Sequence, residues 1–114
     1  ARLKSAVRDN RISNLLNYIQ QHISEVITID DLAEKACLTK SHLIRSFSKI
    51  MGITPLQYIL QKKIQHAQSL LLSTDMTVSK ISEATGFNDV SYFIRLFKKN
   101  IGFTPQEYRE KLIG

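Results

Sequence analysis

The order of apolar and polar residues predicts a chain built from helices. Apolar residues recur at spacings of three and four along nearly the whole sequence, whereas the β-branched run Val26-Ile27-Thr28-Ile29 is too short to form a sheet. We therefore predict an all-α fold of about seven helices. The first helix, from about Arg8 to Ser24, is expected to bury one face. The residues of that face are Ile12, Leu15, Leu16, Ile19 and Ile23.

Capping signals set the boundaries of the next two helices. Thr28 and Asp31 have the spacing of a capping box, and Thr39 is expected to cap the helix that follows the turn at Cys37-Leu38. Gly52 is expected to end that helix, because it tolerates a positive φ. The residues predicted to face the core from it are Leu43, Phe47 and Ile50.

A long helix is predicted in the middle of the chain. Thr54-Pro55-Leu56-Gln57 combines a cap, a proline at the first helical position and a glutamine that can bond back to the cap. No glycine or proline interrupts the next residues as far as Leu72, so we predict about 18 helical residues, roughly 27 Å long. The apolar stripe comprises Leu56, Ile59, Leu60, Ile64, Ala67, Leu70 and Leu71.

The remaining sequence predicts a second set of helices. Thr77 is expected to cap a short helix that ends in a turn at Gly86-Phe87, and Asn88 to cap a helix over 89–100. Thr104-Pro105-Gln106-Glu107 repeats the start of the long helix and begins the last one.

The second set resembles the first because the sequence is duplicated. The segment 41–58 returns as 91–108 at an offset of 50, with the arginine, phenylalanine, glycine, Thr-Pro and tyrosine positions retained. Upstream, Leu32-x-Glu34 matches Ile81-x-Glu83 at an offset of 49, so the two turns differ by one residue. We predict two helix-turn-helix subdomains joined by a long connecting helix. The predicted segments are a tail or linker over 1–7, the first subdomain over 8–54, the connecting helix over 55–73 and the second subdomain over 74–114.

The second helix of a helix-turn-helix enters the major groove of DNA, and both copies have the two faces this requires. Arg45 and Arg95 are equivalent, and the arginine fork can bond guanine O6 and N7. Ile44 and Ile94 are also equivalent, and they could meet thymine methyl groups. Ser41 and Ser91 can bond a base edge or a phosphate. The residues predicted to contact phosphate are Thr39, Lys40, His42, Lys49, Asn88, Lys98 and Lys99.

Charge favours a polyanionic partner. The net charge is +6, and the segment 35–74 contains six lysines and arginines but no acidic residue. The chain has one cysteine, no apolar leader in the sequence shown and no run long enough to span a bilayer, so we expect a cytoplasmic protein that binds no membrane.

The sequence gives little support to an enzyme. His22, His42 and His66 are scattered, and neither zinc-ligand spacing nor a glycine-rich phosphate loop occurs. Cys37 and His42 are close in sequence, but we expect Cys37 to be a half-buried turn residue rather than a nucleophile. We expect no catalysis and no cofactor. The alternative to DNA binding is a helical module that docks an acidic protein partner.

The motif Gly86-Phe87-Asn88-Asp89-x-Ser91-Tyr92-Phe93-x-Arg95-x-Phe97-Lys98-Lys99-x-x-Gly102-x-Thr104-Pro105-x-x-Tyr108-Arg109 resembles the signature of the AraC/XylS family of bacterial transcription regulators. The resemblance covers about residues 8–112, and Cys37 and Ser82 replace a common glycine and alanine. It implies sequence-specific binding of double-stranded DNA, most often by an activator that contacts RNA polymerase and carries a separate ligand-binding or dimerisation domain. The positions matching the family's base-contacting residues are Ser41, Ile44, Arg45, Val90, Ser91, Ile94 and Arg95.

The expected geometry is bipartite. Successive major grooves on one face of B-DNA are about 34 Å apart, and a connecting helix of roughly 27 Å suits that spacing. We therefore expect one chain to bind two different sub-sites about ten base pairs apart, with bending of the duplex if the grooves are otherwise out of reach.

Overall fold

The computed structural model describes the backbone of residues 2–113 and the side chains of residues 10–113. In this part of the chain the secondary structure is entirely helical, which confirms the predicted all-α class. The helices are α1 (Arg2–Gln21), α2 (Ile29–Ala36), α3 (Lys40–Met51), α4 (Pro55–Ser73), α5 (Val78–Ala84), α6 (Val90–Ile101) and α7 (Pro105–Ile113).

The chain divides into two compact units. Within the described residues, unit 1 comprises 2–23 and 27–60, and unit 2 comprises 24–26 and 61–113. Helix α4 begins in unit 1 and ends in unit 2.

The core of unit 1 forms beneath α2 and α3. Leu32, Leu43 and Phe47 have no exposed surface, and they pack against the apolar face of α1. The Phe47 ring meets the Tyr58 ring edge to face, with centroids 5.7 Å apart. Four of the five residues predicted for the α1 face are buried, and the fifth, Leu16, is partly buried against this core.

Unit 2 repeats this packing with more aromatic residues. Phe87, Phe93, Phe97 and Tyr108 form a ladder, in which consecutive ring centroids lie 5.0, 5.9 and 5.4 Å apart. The Arg109 guanidinium donates to the backbone carbonyls of Leu71, at 3.0 Å, and Thr74, at 3.1 Å. These bonds satisfy carbonyls at the end of α4, where a helix lacks its own donors.

The capping predictions are confirmed where the signal is local. Thr28 and Asp31 bond reciprocally, at 3.0 and 3.1 Å. The same pair of bonds joins Thr54 to Gln57 and Thr104 to Glu107. Gly52 ends α3 in the left-handed conformation, with φ of 79°.

Three predictions of helix extent and facing are wrong. Helix α1 begins at Arg2 rather than near Arg8, because the sequence before Arg8 contains no residue that stops a helix. Ile50 is 44 % exposed, since Met51 packs against the core at the end of α3. Leu56 is 53 % exposed, because the buried residue in the first turn of α4 is Pro55.

Candidate nucleic-acid interface

Helix α3 is anchored in unit 1 by its buried face and exposes a polar face on the opposite side. Leu43 and Phe47 lie one turn apart and are fully buried. The predicted base-contacting residues of this helix, Ser41, Ile44 and Arg45, are all exposed. Ile44, next to Arg45, is 38 % exposed, so part of its apolar surface is not covered by unit 1.

Helix α6 presents the equivalent face of unit 2. Phe93 and Phe97 are fully buried in the places of Leu43 and Phe47. The predicted base-contacting residues lie on the open side: Val90, Ser91 and Arg95 are exposed and Ile94 is half-buried.

The N-termini of the two helices are capped differently. Thr39 caps α3, and its hydroxyl accepts from the His42 backbone N–H at 3.2 Å. Asp89, not Asn88, caps α6, and its carboxylate accepts from the backbone N–H groups of Ser91 at 2.8 Å and Tyr92 at 3.3 Å. An anionic cap occupies donors that a phosphate would use, whereas the neutral cap of α3 leaves that end electropositive.

Asn88 is the extra residue of the second turn. Cys37 and Gly86 both adopt the left-handed conformation, and the N–H of the next residue bonds back equivalently in each, from Leu38 to Ala33 and from Phe87 to Ser82, both at 3.0 Å. These positions keep the offset of 49, whereas the caps Thr39 and Asp89 are 50 apart. The single-residue difference between the turns is thereby confirmed, and the prediction of Asn88 as the cap is wrong.

The predicted phosphate-contacting residues are all exposed. Lys40 pairs with Asp30 at 2.7 Å, and both side chains are largely in solvent, so a phosphate could exchange with this carboxylate at little cost. Lys98 and Lys99 lie in the last turn of α6, where cations complement the helix dipole. The exposed residues at this surface are Thr39, Lys40, His42, Lys49, Asn88, Lys98 and Lys99.

Tyr92 was not predicted as a member of this surface, and Asp89 was not predicted as the cap of α6. Tyr92 is 41 % exposed and occupies the position equivalent to His42. The offset of 50 would have found it. The role of Asp89 as the cap depends on which residue of the longer turn reaches the first N–H groups of α6.

Cys37 was expected to be half-buried and is instead exposed. Its φ of 57° is the only positive value of a non-glycine residue in the described chain. Beside it lies an open cleft of about 580 Å³, which we call the turn cleft, whose described lining contains no acidic residue. The polar and aromatic residues that line it include Arg11, Asn14, Tyr18, His22, Lys35 and Cys37.

Metal binding and membrane insertion each require a recognisable structural feature. The described residues contain no group of three or more His, Cys, Asp or Glu side chains placed to hold a metal ion. Among the helices that the structure describes, none combines the length and apolar character that crossing a bilayer requires.

Two tandem units, each with a short helix, a turn and a second helix with an open polar face, define a helix-turn-helix protein. The family model described as "Helix-turn-helix domain" matches residues 32–111, which is more than half of the chain. The chain belongs to this family, in its AraC/XylS type, as the sequence motif predicted.

Relatives and solved structures agree with this assignment. The MmsAB operon regulatory protein of Pseudomonas aeruginosa is 35 % identical over 101 residues, which are 89 % of this chain and 33 % of that protein. The C-terminal domain of the two-component response regulator yesN from Fusobacterium nucleatum superposes with a TM-score of 0.85 and 38 % identity, covering 88 % of this chain and 98 % of that one. The DNA-binding domain of AdpA, solved with a target DNA, shares the fold, with a TM-score of 0.85, 24 % identity and coverage of 88 % and 90 %.

The chain spans about a third of the length of the curated relatives it matches.

Proposed function

We propose that this chain is the part of a bacterial transcription regulator that binds a specific sequence of double-stranded DNA. In this proposal α3 and α6 enter successive major grooves. The observation that carries the proposal is the exposure of Arg45 and Arg95 at equivalent positions, each held by two fully buried neighbours on the same helix. A buried face that fixes the helix also fixes where the arginine fork points, as bidentate recognition of guanine requires.

The surrounding residues support contacts of both kinds that DNA recognition needs. Ile44 offers apolar surface for a thymine methyl group, and Ser41 offers a hydroxyl for a base edge or a phosphate. The exposed cations at the ends of α3 and α6 suit the phosphate backbone, which sets register rather than sequence preference. Asn88 keeps its proposed phosphate contact as an exposed amide rather than as a helix cap.

The duplication supports a bipartite site. Each unit presents one recognition helix with an equivalent exposed arginine, Arg45 in α3 and Arg95 in α6. The proposed operator consists of two different half-sites about ten base pairs apart, the spacing of successive major grooves on one face of B-DNA. We call these the α3 half-site and the α6 half-site.

The role in the cell is part of the proposal. The relatives include named operon regulators. We propose an activator that works in the bacterial cytoplasm, contacts RNA polymerase, and dimerises through a region outside this chain. We propose no catalytic activity for this domain.

A second candidate is a helical module that docks an acidic protein partner. The turn cleft favours it, because Arg11 and Lys35 line a cleft without an acidic residue among its described lining. DNA binding accounts for more of the chain, since the turn cleft belongs to unit 1 alone and leaves the duplicated arginine unexplained.

A salt titration of binding separates the two candidates. For a duplex selected from a random pool by the purified chain, log K is expected to fall with log[salt] at a slope of about −5 to −7, as neutralising roughly six to eight phosphates requires. A scrambled duplex of equal length and a polyglutamate chain are the controls. Equal affinity for selected and scrambled duplexes, or tighter binding of polyglutamate, would contradict the proposed function.

A further inference from the structure

Lys63 is a buried cation that takes no part in the proposed DNA-binding surface. It lies in the middle of α4 and is only 4 % exposed. Its Nζ donates to the backbone carbonyl of Thr85 at 2.9 Å and to that of Glu25 at 2.6 Å. One side chain of unit 2 thus joins three segments: α4, the residues 24–26, and the turn between α5 and α6.

The bond from Lys63 to the Thr85 carbonyl is made at the C-terminal end of α5. Thr85 is the C-cap of α5, and the last carbonyls of a helix lack intrahelical donors and carry the negative end of its dipole. An ammonium donor makes a charge-assisted bond there, which is stronger than a bond from a neutral donor. Burial lowers the pKa of Lys63 to about 8, and the nearby Glu25 carboxylate acts in the opposite direction, so the ammonium form still predominates at neutral pH.

Gly86, the next residue of the turn, packs against Lys63. Gly86 has a φ of 76°, and a Cβ at this position would lie 2.6 Å from the Glu25 carbonyl oxygen and against the Lys63 Nζ. Only glycine fits this space without displacing a backbone carbonyl. Phe87 follows, with its N–H bonded to the Ser82 carbonyl and its ring 5.0 Å from that of Phe93 on α6. The path from the ammonium group to the recognition helix is therefore short and closely packed.

Unit 1 has a basic residue at the equivalent position, but its side chain is not buried against the turn. Arg11 and Lys63 each directly precede buried residues with the same spacing, namely Ile12, Leu15 and Ile19 in one helix and Ile64, Ala67 and Leu71 in the other. Arg11, however, is exposed and lines the turn cleft beside Cys37. A basic residue therefore occurs at the same place in both units, but only in unit 2 is it buried against the turn.

We propose that Lys63 is a positioning residue for the second recognition helix, because its bonds to Thr85 and Glu25 fix the turn from which α6 projects. This inference rests on the proposed function, since it concerns how α6 reads its half-site. Lys63 itself touches no DNA in this proposal. Its removal should therefore impair sequence preference at one half-site only.

The test compares Lys63→Met with Lys62→Met, which removes a charge from the adjacent, less buried position of the same helix. Each protein is titrated with the selected duplex and with duplexes in which one half-site is scrambled; the α6 half-site is the one whose preference changes in Arg95→Ala. We expect Lys63→Met to reduce the discrimination at the α6 half-site at least about fivefold, and to leave that at the α3 half-site within about twofold of wild type. Lys62→Met should change neither ratio. Amide resonances of residues 86–89 should shift in Lys63→Met and stay in place in Lys62→Met.

Each outcome bears on the proposal. A folded Lys63→Met with lowered thermal stability but both ratios intact would reduce Lys63 to a packing residue and overturn it. Lys63→Gln is the second variant if the methionine variant does not fold. Its neutral, shorter side chain cannot replace the charge-assisted bonds to both carbonyls. Lowered thermal stability with unchanged discrimination at the α6 half-site in this variant would therefore also overturn the proposal. If wild type discriminates only at the α3 half-site, α6 reads nothing and the positioning role is wrong while DNA binding stands. If wild type discriminates at neither half-site, the proposed function itself fails.

Discussion

Arg45 and Arg95 differ from the other cations of the chain in how they are held. Each lies on a 12-residue helix between two side chains without exposed surface, Leu43 and Phe47 in α3 and Phe93 and Phe97 in α6. The exposed lysines at the helix ends are flexible point charges by comparison. The arginines are therefore suited to read bases and the lysines to hold the backbone.

Substitution of Arg45 should separate these roles. We expect Arg45→Ala to cost about 1–3 kcal/mol of binding free energy and to relax preference at one base pair, because a bidentate contact is lost. Binding is measured at fixed salt to a panel of duplexes with single base-pair changes. Lys99→Ala is the control and should weaken binding to all of them alike. A uniform loss from Arg45→Ala would make that residue a phosphate contact.

At the scale of elements, turns and caps fix where each helix starts. Cys37 holds a left-handed conformation that costs an L-residue with a Cβ roughly 1–2 kcal/mol. Its N–H bonds to the carbonyls of Ala33 and Glu34, so the turn is satisfied in spite of the strain. In unit 2 the same position is Gly86, where no such cost arises.

Replacement of Cys37 by glycine should stabilise unit 1. The relief of strain exceeds the added chain entropy of glycine, and we expect the free energy of unfolding to rise by about 0.5–1 kcal/mol in denaturant titration. Gly52→Ala is the control and should lower the free energy of unfolding. The φ of 79° at this position is strained for alanine, and the added Cβ would contact no neighbour that could compensate. A loss of stability in Cys37→Gly would mean that the cysteine side chain contributes more than its conformation costs.

The capping box of α7 should make stability depend on pH. Bonds from the Thr104 backbone and side chain, with Lys98 and Lys111 nearby, lower the pKa of Glu107. A lowered folded pKa means a stabilising contribution that is complete above the unfolded pKa of about 4.5 and is lost as pH falls through the folded value. The melting temperatures of wild type and Glu107→Gln should therefore differ most near neutral pH and converge as the pH falls through the lowered pKa of Glu107. A difference in melting temperature that stays constant with pH would contradict this contribution. Gln57→Glu, in the matching capping box of unit 1, should introduce the same pH dependence of stability.

The features that the sequence predicts correctly are those whose signal lies within a few residues. Thr28 and Asp31, or Thr54 and Gln57, need only each other to form a capping box. The exposed arginines follow from the spacing of buried residues on one helix. The offset of 49 and 50 also located the additional residue of the second turn.

The features that the sequence did not predict are decided by contacts made outside the helix concerned. Asp89 rather than Asn88 caps α6 because the turn first returns to the α5 backbone through Phe87. Ile50 has the spacing of a core residue, but Met51 packs against the core at the helix end. Lys63 lies next to the apolar stripe of α4 and reads as a surface lysine; only the carbonyls of Glu25 and Thr85, 38 and 22 residues away, account for its burial.

At the scale of the whole molecule, duplication gives one chain two recognition helices. The copies are tandem, so a single chain does not require a palindrome, and the neutral and anionic caps of α3 and α6 make the two ends electrostatically unequal. We therefore expect the α3 half-site to contribute more phosphate contact at the helix N-terminus than the α6 half-site.

Hydroxyl-radical footprinting of the selected duplex shows whether one chain occupies two major grooves. We expect two protected patches about ten base pairs apart on one face of the DNA, with Arg45→Ala weakening one and Arg95→Ala weakening the other. A single protected patch, unaffected by Arg95→Ala, would contradict this expectation.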